Sequence, residues 1–468
     1  MKPIKVPSAA STLRHSRQDA MRSRPSTLAI DFDALLSHYT GNTLVDRLIV
    51  IAERTTDDVV ALTALRHAKR VLEEAVNPFT MKPPAFANGA LYQRAQATAK
   101  RRNISKSGVE FTDAWIEENA RKSDAELRKL ESGLTDLLTE RVKENLRMQY
   151  VELGDHYYDR GDLKNALACY MRTRDYCSTP KHIVSMCLSV IAVSLEAENF
   201  AHVNVHANKA LTTLDLIDGD EGVIVLRAKL ACSSGIAALR MGRFKEAANK
   251  FTEIPMEIGT LYASMCASKD VATYGTLCAL ASFDRNGLRE LVLDNKKSAF
   301  RAHLEAAAEV REVVNDFYNS KYTSCFATLD SMRDVLALDI HLGAHVETLY
   351  KQIRERALIQ YVEPYISVDL TTMAMAFNTT PEPLQEELVR LIATEKIRAR
   401  IDATDNTLRA TGENQRLKVF EQVISDGEKF EEETRAAILR VSLLRNDVIT
   451  TALDGARARE RASRSQPS

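Results

Sequence analysis

The chain has 468 residues, and its 63 Lys and Arg against 64 Asp and Glu give a formal net charge of −1. This balance supplies no overall electrostatic attraction for nucleic acid or an anionic membrane, so any such contact has to be local. Apolar residues make up 45% of the chain and charged residues 27%, while Gly and Pro number only 17 and 12. That composition excludes collagen-like and mainly disordered chains and favours long helices.

Residues 1–26 are predicted to form a disordered basic tail. They carry six Lys and Arg against a lone Asp19 and lack the apolar core of a secretory signal. The longest apolar stretch, 183–195, is shorter than the about 20 residues that span a bilayer, so we expect no membrane segment.

Residues 27–145 are predicted to be an N-terminal helical region. Apolar residues at helical spacing indicate two or three helices before Asn77-Pro78: Leu44, Leu48, Ile51, Leu62 and Leu65. The stretch 81–107, with two Pro and a basic cluster over 100–106, indicates a partly mobile connection. The cluster fits either a solvated loop or a landing site for an acidic partner. Residues 110–145 then predict a helix pair.

Residues 146–255 show tetratricopeptide-like spacing. Gly154 and Ala166 are small residues that let two helices approach, Gly161 turns the chain, and Tyr170 fills the space around the contact. A weaker copy follows around Gly235, with Ala247 and Phe251 at matching offsets. The two copies are not separated by a multiple of the usual 34 residues, so the pattern predicts a degenerate helical solenoid, an architecture that usually supplies a binding surface.

Helical periodicity continues over 256–363, and residues 364–411 then show a helix, a second helix and a hairpin. The hairpin is predicted from alternating residues over 397–402 and the returning piece 407–409. This order is typical of a winged helix. Its 366–411 stretch holds seven Asp and Glu against five Lys and Arg, which disfavours contact with a DNA duplex. We therefore expect the wing to pair with another protein through its strand edge, at Ile397, Arg398, Arg400, Ile401, Leu408 and Arg409.

Residues 412–454 are predicted to be one long helix, and 455–468 a disordered tail. Apolar positions step by three and four along the helix, and the stripe is wider than a two-stranded seam. A helical bundle with other chains and a contact within this chain both explain the stripe. The residues predicted to bind a partner are Phe420, Val423, Ile424, Phe430, Ile438, Val441, Leu444 and Val448.

The sequence offers no catalytic, cofactor or metal site. It lacks a phosphate-binding Gly-rich loop, and neither of its i, i+4 His pairs, 202/206 and 341/345, has the Glu of a zinc protease motif. Seven Cys without a Cys-x-x-Cys pair indicate reduced thiols in an intracellular protein. We expect a binding protein and no enzyme.

Six stretches in chain order resemble the family of subunit one of the COP (constitutive photomorphogenesis nine) signalosome, a PCI-domain family. The resemblance covers roughly residues 30–450. The stretches are Leu153-Gly-Asp-His-Tyr-Tyr-Asp-Arg-Gly-Asp-Leu-Lys-Asn-Ala-Leu, Arg174-Asp-Tyr-Cys, Tyr274-Gly-Thr-Leu-Cys-Ala-Leu-Ala-Ser-Phe-Asp-Arg, Phe317-Tyr-Asn-Ser-Lys-Tyr, Arg356-Ala-Leu-Ile-Gln-Tyr and Met375-Ala-Phe-Asn-Thr-Thr.

The resemblance implies a non-catalytic scaffold subunit, in nucleus and cytoplasm, of a complex that removes the ubiquitin-like protein NEDD from cullin-RING ubiquitin ligases. It implies that a zinc metalloprotease subunit performs the cleavage, that winged helices join edge to edge, that C-terminal helices form one bundle, and that the N-terminal arm faces the ligases. Two alternatives stay open: a proteasome-lid PCI scaffold, and a PCI adaptor for RNA-associated factors, which would need a basic winged-helix face.

Overall fold

A computed structural model describes residues 31–73, 88–102, 111–140, 142–216, 221–255, 265–293, 300–411 and 415–446. The fold is mainly α, as predicted: helical repeats, then a winged helix, then a long helix. Both predicted tails lie outside the described residues, as does Val448. The boundaries predicted for the regions between the tails stay predictions.

Four helices build the N-terminal part: α1 (Phe32–His38), α2 (Asn42–Arg54), α3 (Asp58–Glu73) and α4 (Gly89–Arg101). Their apolar faces share a core in which Leu48, Leu65 and Tyr92 are fully buried. Ala267 and Leu338 from the middle of the chain belong to the same core. Hydrophobic contact therefore packs the N-terminal helices against residues from the middle of the chain.

The prediction of a partly mobile connection over 81–107 is wrong where α4 forms. Asn88 caps this helix, because its side chain accepts hydrogen bonds from the backbone N–H groups of Ala90 and Leu91 at 3.1 and 3.2 Å. Tyr92 then stacks on Trp115 with ring centroids 4.2 Å apart. Asn88 is a helix-cap signal in the sequence, but the neighbouring Pro and basic residues favour a loop, which is why the pattern predicts a connection here.

The solenoid begins with α5 (Asp113–Glu140), one helix of 28 residues where a helix pair was predicted. It continues through α6 (Lys143–Arg160), α7 (Leu163–Thr173), α8 (Pro180–Glu196), α9 (Phe200–Leu214), α10 (Glu221–Arg240) and α11 (Phe244–Thr252), each packed on the next. Gly161 ends α6 with φ of +91°, a conformation that favours glycine.

The two small-residue contacts predicted from the repeat spacing are confirmed. A Cβ atom on Gly154 would lie 2.6 Å from the ring of Tyr170, and one on Gly235 would lie 3.0 Å from the ring of Phe251. Real carbon atoms do not approach to 2.6 Å, so α6 and α7 can pack at this distance only because residue 154 lacks a side chain. The aromatic ring fills the space that the glycine leaves.

The next helices are α12 (Ser268–Ser282), the short α13 (Arg285–Leu288), α14 (Phe300–Glu305), α15 (Ala308–Tyr318), α16 (Tyr322–Leu338) and α17 (Val346–Val362). A π-helical turn, Arg289–Leu293, follows α13. Helix α12 lies at the centre, because it packs against α11, α14, α15 and α17. Its residues from Val271 to Leu280 are all buried.

A buried ionic cluster joins α2 to this central part. The guanidinium of Arg47 donates to Asp339 Oδ2 and Asp270 Oδ2, each at 2.9 Å, and its side chain is only 6% exposed. Tyr274 donates to Asp339 at 2.8 Å, and Tyr39 donates to Asp270. One cation thus serves two buried carboxylates that come from residues more than two hundred positions away.

The chain between α16 and α17 approaches α2 a second time. Arg54 donates from Nη1 to the carbonyl oxygens of Asp339 and Ala337, at 2.5 and 3.3 Å. A Cβ atom on Gly343 would lie 2.5 Å from the Ala337 carbonyl oxygen and 2.7 Å from that of Asp339, the two oxygens that Arg54 binds, so only glycine fits against this backbone. The 337–343 segment is therefore shaped to receive two arginines of one helix.

The chain divides into two compact units. The first runs to residue 364 and includes 375–379, and the second comprises 365–374 and the residues from 380 on. The second unit contains β1 (Ser367–Asp369), most of α18 (Leu370–Ala376), α19 (Pro381–Ala393), β2 (Ala399–Asp402), β3 (Thr407–Ala410) and α20 (Gln415–Arg445).

The short 375–379 segment is held in the first unit by an aromatic cluster. Phe377, 1% exposed, stacks on Tyr322 at 5.1 Å and meets Tyr361 edge to face at 5.5 Å. Thr323 donates from Oγ1 to the Ala376 carbonyl at 2.8 Å. These contacts explain structurally one of the six sequence stretches that carried the family resemblance.

One helix among the described residues, Gly222–Arg240, is long and apolar enough to cross a membrane. Half of its apolar window is buried inside the protein, which is typical of a core helix. This helix is the greater part of α10, and Arg227 and Lys229 interrupt its apolar run in the sequence, so the run is harder to recognise than the 183–195 stretch.

Candidate functional site

The winged helix carries a three-stranded antiparallel sheet with the order β1-β3-β2. The predicted hairpin is present as β2 and β3, and the sequence analysis missed β1, which has only three residues. Strand β3 is central, since it pairs Ser367 with Arg409 on one side and Arg400 with Arg409 on the other. The sheet edges are therefore β1 and β2.

The six residues predicted at the wing edge divide into three groups. Arg398 and Arg400 are exposed on or beside β2, and Ile401 is half-buried there. Ile397 precedes β2 and is buried, with 7% exposed. Leu408 and Arg409 lie on β3, so their assignment to the edge is wrong; the sequence showed two strands, and the third strand that makes β3 central was not recognised.

The outward-facing backbone groups of β2 follow from the pairing. Thr411 donates its N–H to the Arg398 carbonyl at 2.9 Å, and this pair is in register with Arg400 opposite Arg409. Because antiparallel hydrogen-bonded pairs alternate, Arg398 and Arg400 face β3 with their backbone groups. The N–H and C=O groups of Ala399 and Ile401 point away from the sheet, where another strand can pair with them.

Arginines cover the solvent-facing side of this edge. Arg409 is 3.1 Å from Asp405 and 3.6 Å from Asp402, so its charge is neutralised within the hairpin. Arg400 lies directly opposite it, and the Arg400 side chain forms neither a hydrogen bond nor an ion pair within the described part of the chain. A shallow depression beside the edge is lined by Arg400, Arg409, Ala403, Ala410 and Thr411 together with Ile401 and Asp402.

The other edge is chemically different. The carboxylate of Asp369 on β1 accepts hydrogen bonds from the backbone N–H of Thr371 at 3.2 Å and of Thr372 at 3.0 Å, and from both hydroxyls. These bonds lower the pKa of Asp369 to about 2. The β1 carboxylate is thus engaged in starting α18, whereas the β2 arginine is not engaged locally.

Helix α20 exposes its apolar side chains to solvent. It has 31 residues and is about 46 Å long at 1.5 Å per residue. Seven of the eight residues predicted to bind a partner are described: six are large apolar side chains between 47% and 72% exposed, and Leu444 is half-buried. The six are Phe420, Val423, Ile424, Phe430, Ile438 and Val441.

These side chains share one side of α20. At 100° per residue, the positions from 420 to 444 that form the stripe fall within about 160° of the helix circumference. Leu439 is an exception, because it is 62% exposed yet lies about 140° from the centre of the stripe. A stripe this wide suits contact with more than one helix.

The winged-helix surface that would face a DNA groove is acidic. Glu382 and Glu386 are exposed on α19, and Glu395 is exposed just after it. A duplex would meet negative side chains on the helix that inserts in DNA-binding winged helices.

Both His pairs are engaged in packing. The rings of His202 and His206 are 4.5 Å apart, and burial lowers the pKa of His206 to about 4. His345 Nε2 lies 3.2 Å from the Arg240 carbonyl, and His341 meets Tyr274 edge to face. Among the residues that the structure describes, no group of three or more His, Cys, Asp and Glu is placed to hold a metal ion.

Comparisons with known proteins match the helical repeats and the region that ends in the winged helix. Residues 112–291 match the family model "26S proteasome subunit RPN7", and residues 320–411 match the PCI domain. The chain is similar to COP9 signalosome complex subunit 1 of Arabidopsis thaliana, at 40% identity over 89% of this chain and 90% of the relative. It is also similar to COP9 signalosome complex subunit 1b of Drosophila melanogaster, at 35% identity over 90% and 86%.

A more distant similarity connects the chain to the proteasome. The 26S proteasome non-ATPase regulatory subunit 6 of Oryza sativa is 23% identical over 70% of this chain and 82% of the relative. The lower identity over a smaller share of the chain separates this relative from the two signalosome relatives.

Proposed function

Because the chain belongs to the family of COP9 signalosome complex subunit 1, we propose that it is a non-catalytic scaffold that holds other subunits of that complex through α20 and the β2 edge. The observation that carries this proposal is the wide apolar stripe of α20, which stays in solvent when the chain is alone. Gly427 in the interior of α20 costs about 1 kcal/mol of helix stability relative to Ala, and packing against partner helices would stabilise the helix.

The energetic gain from covering α20 is large. Burying one large apolar side chain contributes about 1.5–3 kcal/mol relative to leaving it exposed. Phe430 and Ile438 are 72% and 64% exposed, so a bundle would bury most of each side chain. Burial of several such side chains along one helix would be enough to hold the chain in its complex.

The wider role rests on the family. We propose that this subunit supports removal of the ubiquitin-like protein NEDD from cullin-RING ligases, with the isopeptidase chemistry in a separate metalloprotease subunit. We further propose that the N-terminal helical region faces the ligase components and that the chain works in nucleus and cytoplasm. The proteasome-lid alternative has the weaker similarity, and the RNA-adaptor alternative is opposed by the acidic α19 surface.

The stripe is tested by charging it. Phe430→Asp combined with Leu444→Asp should release the tagged chain from co-purified subunits while its circular dichroism stays helical. Ile438→Asp and Leu439→Asp form a matched pair, because the two neighbours are 64% and 62% exposed but only Ile438 is in the stripe. We expect at least about a hundredfold weaker retention for Ile438→Asp and little change for Leu439→Asp. Equal retention of both variants would refute docking through the stripe.

A further inference from the structure

The β2 edge is too short to select a partner by backbone pairing alone. Only Ala399 and Ile401 direct their backbone groups outward, so an added strand has two donors and two acceptors to pair with. Every protein strand offers the same backbone groups, and specificity has to come from side chains next to the pairing.

Arg400 is the side chain placed to supply that specificity. It lies between the two outward-facing residues, and its side chain is on the solvent side of the sheet. The residue opposite it on β3 is Arg409, and like charges directly opposite each other destabilise a sheet. Arg409 has Asp402 and Asp405 within ion-pair distance, whereas Arg400 has no carboxylate within that distance in the described part of the chain.

We infer that the strand which pairs with β2 carries an Asp or Glu that forms an ion pair with Arg400, seated in the depression beside Ala403, Ala410 and Thr411. This inference rests on the proposed pairing of the β2 edge and specifies the chemistry of its occupant: an acidic edge strand of another subunit. Arg is suited to this role because its planar guanidinium binds a carboxylate with two parallel hydrogen bonds.

The general role of edge charges is a competing explanation. Charged side chains on edge strands keep sheets from aggregating, and such a role needs a charge but no particular sign. Replacing Arg400 by Glu keeps a charge on the edge and reverses its sign. An ion pair with an acidic strand therefore predicts that Arg400→Glu weakens assembly, whereas a general protective charge predicts no change.

The test compares variants of the full chain in the assembled complex purified from cells, with the retained subunits quantified by mass spectrometry. Arg400→Gln should weaken retention of one neighbouring subunit about fivefold, and Arg400→Glu at least about thirtyfold, with the loss reduced at high salt. Arg390→Glu, on α19 outside the sheet, is the control for charge reversal and should have no effect. Normal retention of Arg400→Glu would overturn the inference.

A second variant separates this inference from the proposed function. Ala399→Pro removes an outward N–H without removing a β2–β3 hydrogen bond, so it blocks the added strand. If Ala399→Pro releases the subunit and Arg400→Glu does not, edge pairing stands and the acidic partner is wrong. If neither variant has an effect, both the edge pairing and the acidic partner are wrong.

The partner residue can be identified directly. A photo-crosslinking benzoylphenylalanine in place of Ala403 should label a strand with an Asp or Glu close to the crosslink. Replacing that acidic residue by Lys should restore retention of the Arg400→Glu chain. A labelled strand without a carboxylate, or a failure of the charge swap, would overturn the inference.

Discussion

Removing Arg47 should destabilise the first unit more than any surface arginine would. Arg47→Met keeps much of the apolar stem but deletes the guanidinium that lies 2.9 Å from both Asp270 and Asp339. The two carboxylates, whose side chains are only 14% exposed, would then face each other without a cation. Both would carry the cost of burial with no compensating charge.

We expect a loss of about 3–5 kcal/mol in the free energy of unfolding, the range for breaking a buried ion pair by removing one partner. The loss should appear as faster hydrogen exchange in α2 and α12, the helices that carry Arg47 and Asp270. Protection factors of amides that exchange through this opening should fall by about 10²–10⁴.

The effect of pH has a defined sign. Burial raises the pKa of Asp339, but Arg47 opposes it so strongly that the pKa lies below its ordinary value. In the wild type, the stability that ionised Asp339 contributes is therefore fully present above the pKa of about 3.9 that the carboxyl has in the unfolded chain. It is lost only as pH falls through the lower pKa that Asp339 has in the folded protein. Burial keeps the pKa of Asp270 above its ordinary value even beside Arg47. Without Arg47 the pKa of both carboxyls rises further, and the folded variant takes up protons that the unfolded chain does not hold. The stability gap between wild type and variant should narrow from pH 7 to pH 5.

Arg435→Met is the matched control for Arg47→Met. Arg435 also contacts a carboxylate, Glu431, but the two side chains are 76% and 61% exposed. Its replacement should change stability by less than about 1 kcal/mol. A similar small effect for Arg47→Met, or a stability gap that widens on acidification, would refute the argument from burial.

Three further predictions concern packing and protonation. Gly154→Ala places a Cβ 2.6 Å from the Tyr170 ring and should lower the free energy of unfolding by about 1–3 kcal/mol. Gly427→Ala, with open space around it, should instead raise the helicity of α20. Thermal melts followed by circular dichroism distinguish the two effects. Phe377→Ala should cost about 3–5 kcal/mol in urea unfolding, since it empties the centre of an aromatic cluster. Burial and nearby Asp155 raise the pKa of Asp159 to about 6, so its contribution to stability falls as pH rises from 4 to 7. Asp159→Asn should gain in melting temperature over wild type across that interval, and parallel melting curves would contradict this.

Periodic signals allowed much of the fold to be predicted. The helix and hairpin pattern over 370–409 predicted the winged helix, and the Gly154 spacing predicted the aromatic contact of α6 with α7. The three-residue β1 carries too few positions for a period-two pattern to be recognised. Without β1 in the prediction, β3 becomes an edge strand, and Leu408 is wrongly assigned to the edge.

The buried cluster shows a different limit of sequence reasoning. Arg47 occurs in the sequence as one charged residue on an amphipathic helix, and nothing local marks it as buried. Its partners, Asp270 and Asp339, are 223 and 292 positions away, so the pairing depends on tertiary packing alone. The stripe of α20 could be predicted because its periodicity is local. The protein that covers the stripe could not be predicted in the same way, because its residues belong to another chain.

The central claim is that this chain is a signalosome scaffold, and purification of the tagged full chain from cells tests it most directly. The retained proteins would be identified by mass spectrometry, and cleavage of NEDD-conjugated cullin would be measured for the complex and for the purified chain alone. We predict retention of signalosome subunits, including a metalloprotease subunit, with cleavage by the complex and none by the lone chain. Retention of proteasome ATPases, or cleavage by the lone chain, would contradict the account.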